Sequence, residues 1–210
     1  MADLGRLITA MVTPFDERGE VDFPRAGKLA LALLDSGSHG VLVSGTTGES
    51  PTLSRQEKLK LFAEVKSAVG DKGVVVAGTG SYDTAESARF TREAEETGVD
   101  GCLMVVPYYN KPTPEGLYRH FEAIVSHTSL PCILYNVPSR TVTSLDPDTV
   151  VRLSRIDNIV AVKEASGNFD NIAEIIERTG EDFLVYSGND SDTLPIMAIG
   201  GYGVISVASH

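Results

Sequence analysis

The stretch NIVAVKEASG at 158–167 sets a lysine directly behind four apolar residues. An ammonium at the end of a buried strand is costly unless it is paired, hydrated or neutralised. Strand alternation puts Ile159, Ala161 and Lys163 on one face, and Val160 and Val162 on the other. The small Ala161 suits a crowded interior and the valines suit packing under helices, so Lys163 is expected to point inward. The same alternation in PCILYNVP (131–138) pairs Ile133 with Tyr135, which sets a phenol beside the amine. Desolvation disfavours the ammonium, and the neutral amine can attack a carbonyl to form a Schiff base. The iminium is then an electron sink for carbon–carbon bond chemistry, with a tyrosine hydroxyl relayed through a threonine as proton carrier. The competing reading is a structural ion pair between Lys163 and a carboxylate, and parity alone does not choose between them.

Other polar residues end similar apolar runs: Thr46 and Thr47; Tyr108, Tyr109 and Asn110; Asn136 and Arg140; Gly188, Asn189 and Asp190. GTTGE (45–49) and GTGSYD (78–83) look like phosphate cradles, but neither has the spacing of a P-loop or a dinucleotide fingerprint. His39, His120, His127 and His210 are scattered without ligand spacing, and no G-x-S-x-G elbow is present. Cys102 and Cys132 lie in apolar segments and read as buried free thiols. No metal and no cofactor is expected.

Eight apolar, β-branched runs carry these residues: 7–13, 40–46, 73–80, 101–109, 131–138, 158–166, 182–190 and 203–209. Between them apolar residues recur at helical spacing. Ser54 and Glu57 form a capping-box pattern ahead of a helix closed by Gly70. A second helix is expected over 84–97, ending at Gly98, with Glu93, Glu95 and Glu96 as a solvated face. Asp146-Pro147 opens another helix, and Gly180 follows the one ending at Arg178-Thr179. Strands alternating with helices, each strand apolar on both faces, predict an α/β protein with a parallel sheet. Eight units favour a closed (β/α)8 TIM barrel, read here as one domain over 1–210, with catalysis at the C-terminal strand ends. The eighth strand ends near Ala208 with no segment left to cover it, so the last helix is expected to be missing and the chain to be C-terminally shortened.

The 210 residues carry a net charge of −11, which disfavours nucleic acid and anionic lipid as partners. No apolar run approaches the roughly 20 residues that span a bilayer, and no signal peptide opens the chain, so a cytoplasmic location is expected.

GTTGESPTL (45–53), PYYNKP (107–112), YNVPSRT (135–141), VKEASG (162–167), SGND (187–190) and GVISV (203–207) together resemble the dihydrodipicolinate synthase family. The resemblance covers essentially the whole chain, and it implies that a C-terminal helical extension, like the eighth helix, is missing here. It implies a lyase in which pyruvate forms a Schiff base on Lys163 and condenses with L-aspartate 4-semialdehyde to give 4-hydroxy-tetrahydrodipicolinate, on the route to diaminopimelate and lysine. By the same resemblance Tyr135 is the relay tyrosine and Thr46 links it to Tyr109, which is offered to a neighbouring subunit. Thr47 holds the pyruvate carboxylate, Arg140 receives that of the semialdehyde, and Gly188 and Ile205 line the pocket by their backbones. A homo-oligomer is implied, a dimer or a dimer of dimers.

Some positions depart from the family pattern. Val142 stands where many members have glycine, which leaves the loop geometry there open. At the positions of the lysine-regulated site (Ser50, Pro51, Arg55, Lys58, Tyr82, Glu86 and Tyr108), Arg55, Lys58 and Tyr82 replace two histidines and an asparagine. Weak lysine feedback is expected. The alternatives are another pyruvate-dependent aldolase of the same superfamily, acting on N-acetylneuraminate or a 2-keto-3-deoxy sugar acid, or a catalytically silent chain.

Overall fold

The structure is a computed structural model and describes residues 4–210. Each expected apolar run forms a strand, shorter than the run at its polar end. They are β1 (Leu7–Ala10), β2 (Gly40–Val43), β3 (Val74–Gly78), β4 (Gly101–Val105), β5 (Cys132–Asn136), β6 (Ile159–Glu164), β7 (Leu184–Ser187) and β8 (Gly203–Ser206). All neighbours pair in parallel, and β8 closes on β1 with Ile205 opposite Ile8, which completes an eight-stranded barrel. The helices are α1 (Phe23–Asp35), α2 (Arg55–Val69), α3 (Thr84–Glu95), α4 (Pro114–Val125), α5 (Pro138–Thr141), α6 (Pro147–Leu153), α7 (Phe169–Thr179) and α8 (Thr193–Ala198). The (β/α)8 expectation is met, and among the described residues no helix is long and apolar enough to cross a membrane.

Local chemistry sets these boundaries. Ser54 and Glu57 make the reciprocal capping box at the start of α2, and Asp146 caps α6 with Pro147 in its first turn. The acidic end of α3 is less solvated than its composition suggests. Glu93 pairs with Arg55 on α2 and Glu95 accepts from Ser129, so two of the three carboxylates tie α3 to neighbouring segments.

The core has two layers. Ile8, Leu42, Val76, Leu103, Ile133, Tyr135, Ala161, Tyr186 and Ile205 fill the lumen. Met104, Leu134, Val162 and Val185 face outward, under helices that contribute Phe121, Val150 and Ile172. The parity expected for β6 needs one correction. Cys132 pairs with Ile159 but Ile133 pairs with Ala161, so Val160 is an extra residue in a β-bulge. Ile159 therefore packs in the outer layer and Val160 against the lumen cluster, the reverse of simple alternation. Beyond the bulge the alternation resumes, with Ala161 in the lumen and Val162 outside. On β8, the outward Val204 is half-buried and Ser206 is buried.

Candidate active site

Lys163 lies on the lumen side at the C-terminal end of β6, opposite Tyr135 of β5 and Tyr186 of β7. Its side chain is 5% exposed and its Nζ sits 4.3 Å from the centre of the Tyr135 ring. Among the described residues it forms no ion pair, which leaves the structural reading of this lysine without its carboxylate. Burial pushes its pKa down to about 8, opposed by the charge of Asp190 and reinforced by that of Arg140. A usable fraction of neutral amine follows at physiological pH. Tyr135 is also buried, which raises its pKa, while the Arg140 charge and a hydrogen bond with Thr46 act the other way.

Gly188 makes room for the lysine. A Cβ there would meet Lys163 Cε at 3.1 Å and Glu164 O at 3.0 Å, and Gly188 N donates to that same carbonyl at 2.6 Å. No other residue lets the loop after β7 run this close to the nucleophile.

The lysine opens into a cavity of about 710 Å³ whose walls include Thr46, Thr47, Tyr135, Arg140, Gly188 and Asp190. A smaller space of about 250 Å³ adjoins it and shares Thr46, Tyr135 and Arg140. Six expected residues thus converge: Lys163, Tyr135, Thr46, Thr47, Arg140 and Gly188. Two do not. The Ile205 side chain is buried in the lumen packing, and Tyr109 is 93% exposed on the loop after β4. A further polar device lies behind the lysine, where Asn136 donates to the buried Glu164 and accepts from Leu145 N. Asn136 was legible as a strand-end polar group, Glu164 was not singled out, and their pairing depends on register.

The rim is the strained part of the backbone. Ser44, Glu49, Tyr109, Lys111 and Val142 are the described non-glycine residues with positive φ, and all five sit on loops that follow β2, β4 or β5. Val142, the departure from glycine noted above, has φ 60° and ends α5. At the positions likened to a regulatory site, Arg55 is engaged by Glu86 and Glu93 beside a cavity of about 220 Å³ that Lys58 also lines. Burial lowers the pKa of Lys58, partly countered by Glu86. Among the described residues no cluster of His, Cys, Asp and Glu could hold a metal ion. Cys102 and Cys132 are free and buried, and burial pushes the Cys102 thiol up to about 12.

Comparison with known proteins agrees with this geometry. Residues 3–210 match the model of the dihydrodipicolinate synthetase family. A 4-hydroxy-tetrahydrodipicolinate synthase of Dehalococcoides mccartyi is 65% identical over 210 residues, all of this chain and 71% of that protein. Its counterpart in Moorella thermoacetica is 58% identical over 206 residues, 98% of this chain and 70% of that one. Among solved structures, a dihydrodipicolinate synthase of Bacillus anthracis superposes with TM-score 0.98 at 53% identity, covering 100% of this chain and 72% of that one. One from Cyanidioschyzon merolae, solved with lysine bound, does so with TM-score 0.97 at 49% identity, covering 99% and 71%. With eight strands in register, a buried lysine at the end of the sixth and relatives matched along its whole length, the chain belongs to the dihydrodipicolinate synthase family.

Proposed function

We propose that this chain condenses pyruvate with L-aspartate 4-semialdehyde to give 4-hydroxy-tetrahydrodipicolinate, with Lys163 as the nucleophile. The observation that carries the reading is a buried, unpaired lysine over the Tyr135 ring, with its pKa down to about 8, open to a cavity large enough for both substrates. The Lys163 amine attacks C2 of pyruvate, and the carbinolamine loses water to leave an iminium. Loss of a methyl proton gives the enamine, whose carbon bonds to the aldehyde carbon of the semialdehyde. The amino group of that substrate then attacks the iminium carbon, and ring closure expels Lys163 as the free amine.

Tyr135 carries protons beside the nitrogen, in contact with Thr46. Thr47 hydrogen-bonds the pyruvate carboxylate and Arg140, on the cavity wall, takes the carboxylate of the second substrate. Ile205 supports the pocket floor from the lumen. Tyr109, exposed on a strained loop next to the edge-packed Tyr82 and Tyr108 rings, serves a neighbouring subunit in a homo-oligomer. Borohydride reduction in the presence of pyruvate tests the reading. The expected result is a mass increase on Lys163 that is absent in Lys163→Ala, and a folded sample without the adduct would refute it.

A further inference from the structure

Asp190 belongs to the 3-10 turn after β7, on the wall of the Lys163 cavity. Its two oxygens are held from β8 and the residues just past it: Ser206 Oγ donates to Oδ1, and Val207 N and Ala208 N both donate to Oδ2 at 3.1 Å. Ser206 Oγ in turn accepts from Ser209 N at 3.1 Å, so the carboxylate is fixed by a four-residue frame across β7 and β8. Such fixation is more than a loop needs, because the backbone of this turn already closes through Asp192 N to Asn189 O. Its effect is to fix one negative charge on the wall of the cavity that holds the amine, where no ion pair joins Asp190 to Lys163.

The charged and titratable groups around Lys163 are few. Tyr135 comes from β5, Arg140 from α5, Tyr186 from β7 and Asp190 from the loop beyond β7. The Tyr186 hydroxyl points away, donating to Gly5 O at 2.8 Å. Arg140 disfavours a cation on the lysine nitrogen, and Asp190 is the anion that favours one. At the rim, partial burial raises the Asp190 pKa. Hydrogen bonds from Ser206, Ala208 and Val207 and the Lys163 charge outweigh it, holding the carboxyl below the usual range and therefore ionised.

We propose that Asp190 is a positioning residue for the condensation, a tethered counter-charge that stabilises the cationic iminium on Lys163 without contacting the nitrogen. This rests on the Schiff-base reading above. An iminium in a desolvated site needs an opposing charge, yet a carboxylate in direct contact would hold the resting amine protonated. Placing the charge at the rim, beyond ion-pair distance, serves both demands.

The test compares the pH dependence of borohydride trapping, and the pyruvate concentration for half-maximal adduct, in the parent chain and in Asp190→Asn. The asparagine can keep the frame, accepting from Val207 N and Ala208 N and donating to Ser206 Oγ. The acid limb is expected to move down by about one pH unit, the scale of one nearby opposite charge. Half-maximal pyruvate should rise several-fold, while Asp190→Glu retains a limb close to that of the parent. A purely structural role would lower the yield of adduct without moving the limb, and an unmoved limb overturns the proposal. Asp190→Ser, a second neutral replacement, repeats the comparison if the asparagine variant misfolds; misfolding of both assigns Asp190 to the framework and also overturns it. Absence of the Lys163 adduct in the parent would instead refute the Schiff-base reading itself.

Discussion

Asn136 Nδ2 donates to Glu164 Oε1 at 2.8 Å, and these residues directly follow Tyr135 and Lys163 on adjacent strands. The bond therefore pins the register in which phenol and amine meet. Ser166 Oγ donates to the other carboxylate oxygen at 2.6 Å, so the buried carboxylate is satisfied without a cation. Asn136→Ala would leave Glu164 and Leu145 N short of partners in a buried site, a cost of about 3 kcal/mol. The denaturation midpoint should fall accordingly, and the yield of Lys163 adduct with it.

The same carboxylate makes a pH-dependent prediction. Burial raises the Glu164 pKa, only partly opposed by its hydrogen bonds to Ser166 and Asn136. A carboxyl raised in the folded state favours folding below its unfolded value, and that contribution is lost as pH rises through the folded value. Glu164→Gln should thus be more stable than the parent at pH 8, with the difference fading on acidification. Denaturant titrations at several pH values check it, and an advantage that grows towards acid would contradict the sign.

Lys163 itself stands against stability. Its pKa falls from 10.5 to about 8, so the folded state is penalised wherever the amine must be protonated. The contribution is intact above pH 10.5 and lost as pH falls through about 8. Lys163→Met should raise stability by up to about 3 kcal/mol near pH 6, a gain that disappears at high pH, while abolishing the adduct. Equal stability of the two chains at pH 6 would mean that the amine is better solvated than its burial indicates.

Val142 is a β-branched residue at φ 60° and 70% exposed, so it has little packing to offset its backbone strain. Left-handed geometry costs such a residue of order 1–3 kcal/mol, and glycine returns up to about 1 kcal/mol through unfolded-state entropy. Val142→Gly should therefore stabilise the chain by about 1 kcal/mol. A higher thermal midpoint is the expected readout, and a lower one would show that the loop draws support from the valine side chain.

The cavity beside Arg55 and Lys58 carries two cationic side chains, and the Glu86 carboxylate there is already paired with Arg55. A cationic amino acid entering it would meet like charge and find no free anion. Condensation rates should be insensitive to sub-millimolar free lysine, in steady-state assays at fixed pyruvate. Strong inhibition would require Arg55 to release Glu86.

Much of this architecture was legible along the chain. Apolar runs, the Ser54–Glu57 box and the Asp146-Pro147 start are local signals, and local hydrogen bonding or steric preference is enough to enforce them. Alternation also placed Ala161, Val162 and Lys163 correctly. It misplaced Ile159 and Val160, because a bulge is a relation between two strands and leaves no mark in one of them. Glu93 and Glu95 were misjudged for a related reason, since their partners Arg55 and Ser129 lie more than 30 residues away.

The sequence by itself determined the elements, their order and the kinds of side chain carried to the barrel mouth, since these follow from residue type and spacing. Only the tertiary structure decided how those side chains act on one another. Pairing of β7 with β8 brought Asp190 against Ser206 at the lysine cavity, and the β5–β6 register set Tyr135 against Lys163. Electrostatic strength depends on distance and desolvation, and both are set by how strands from remote parts of the chain pack together.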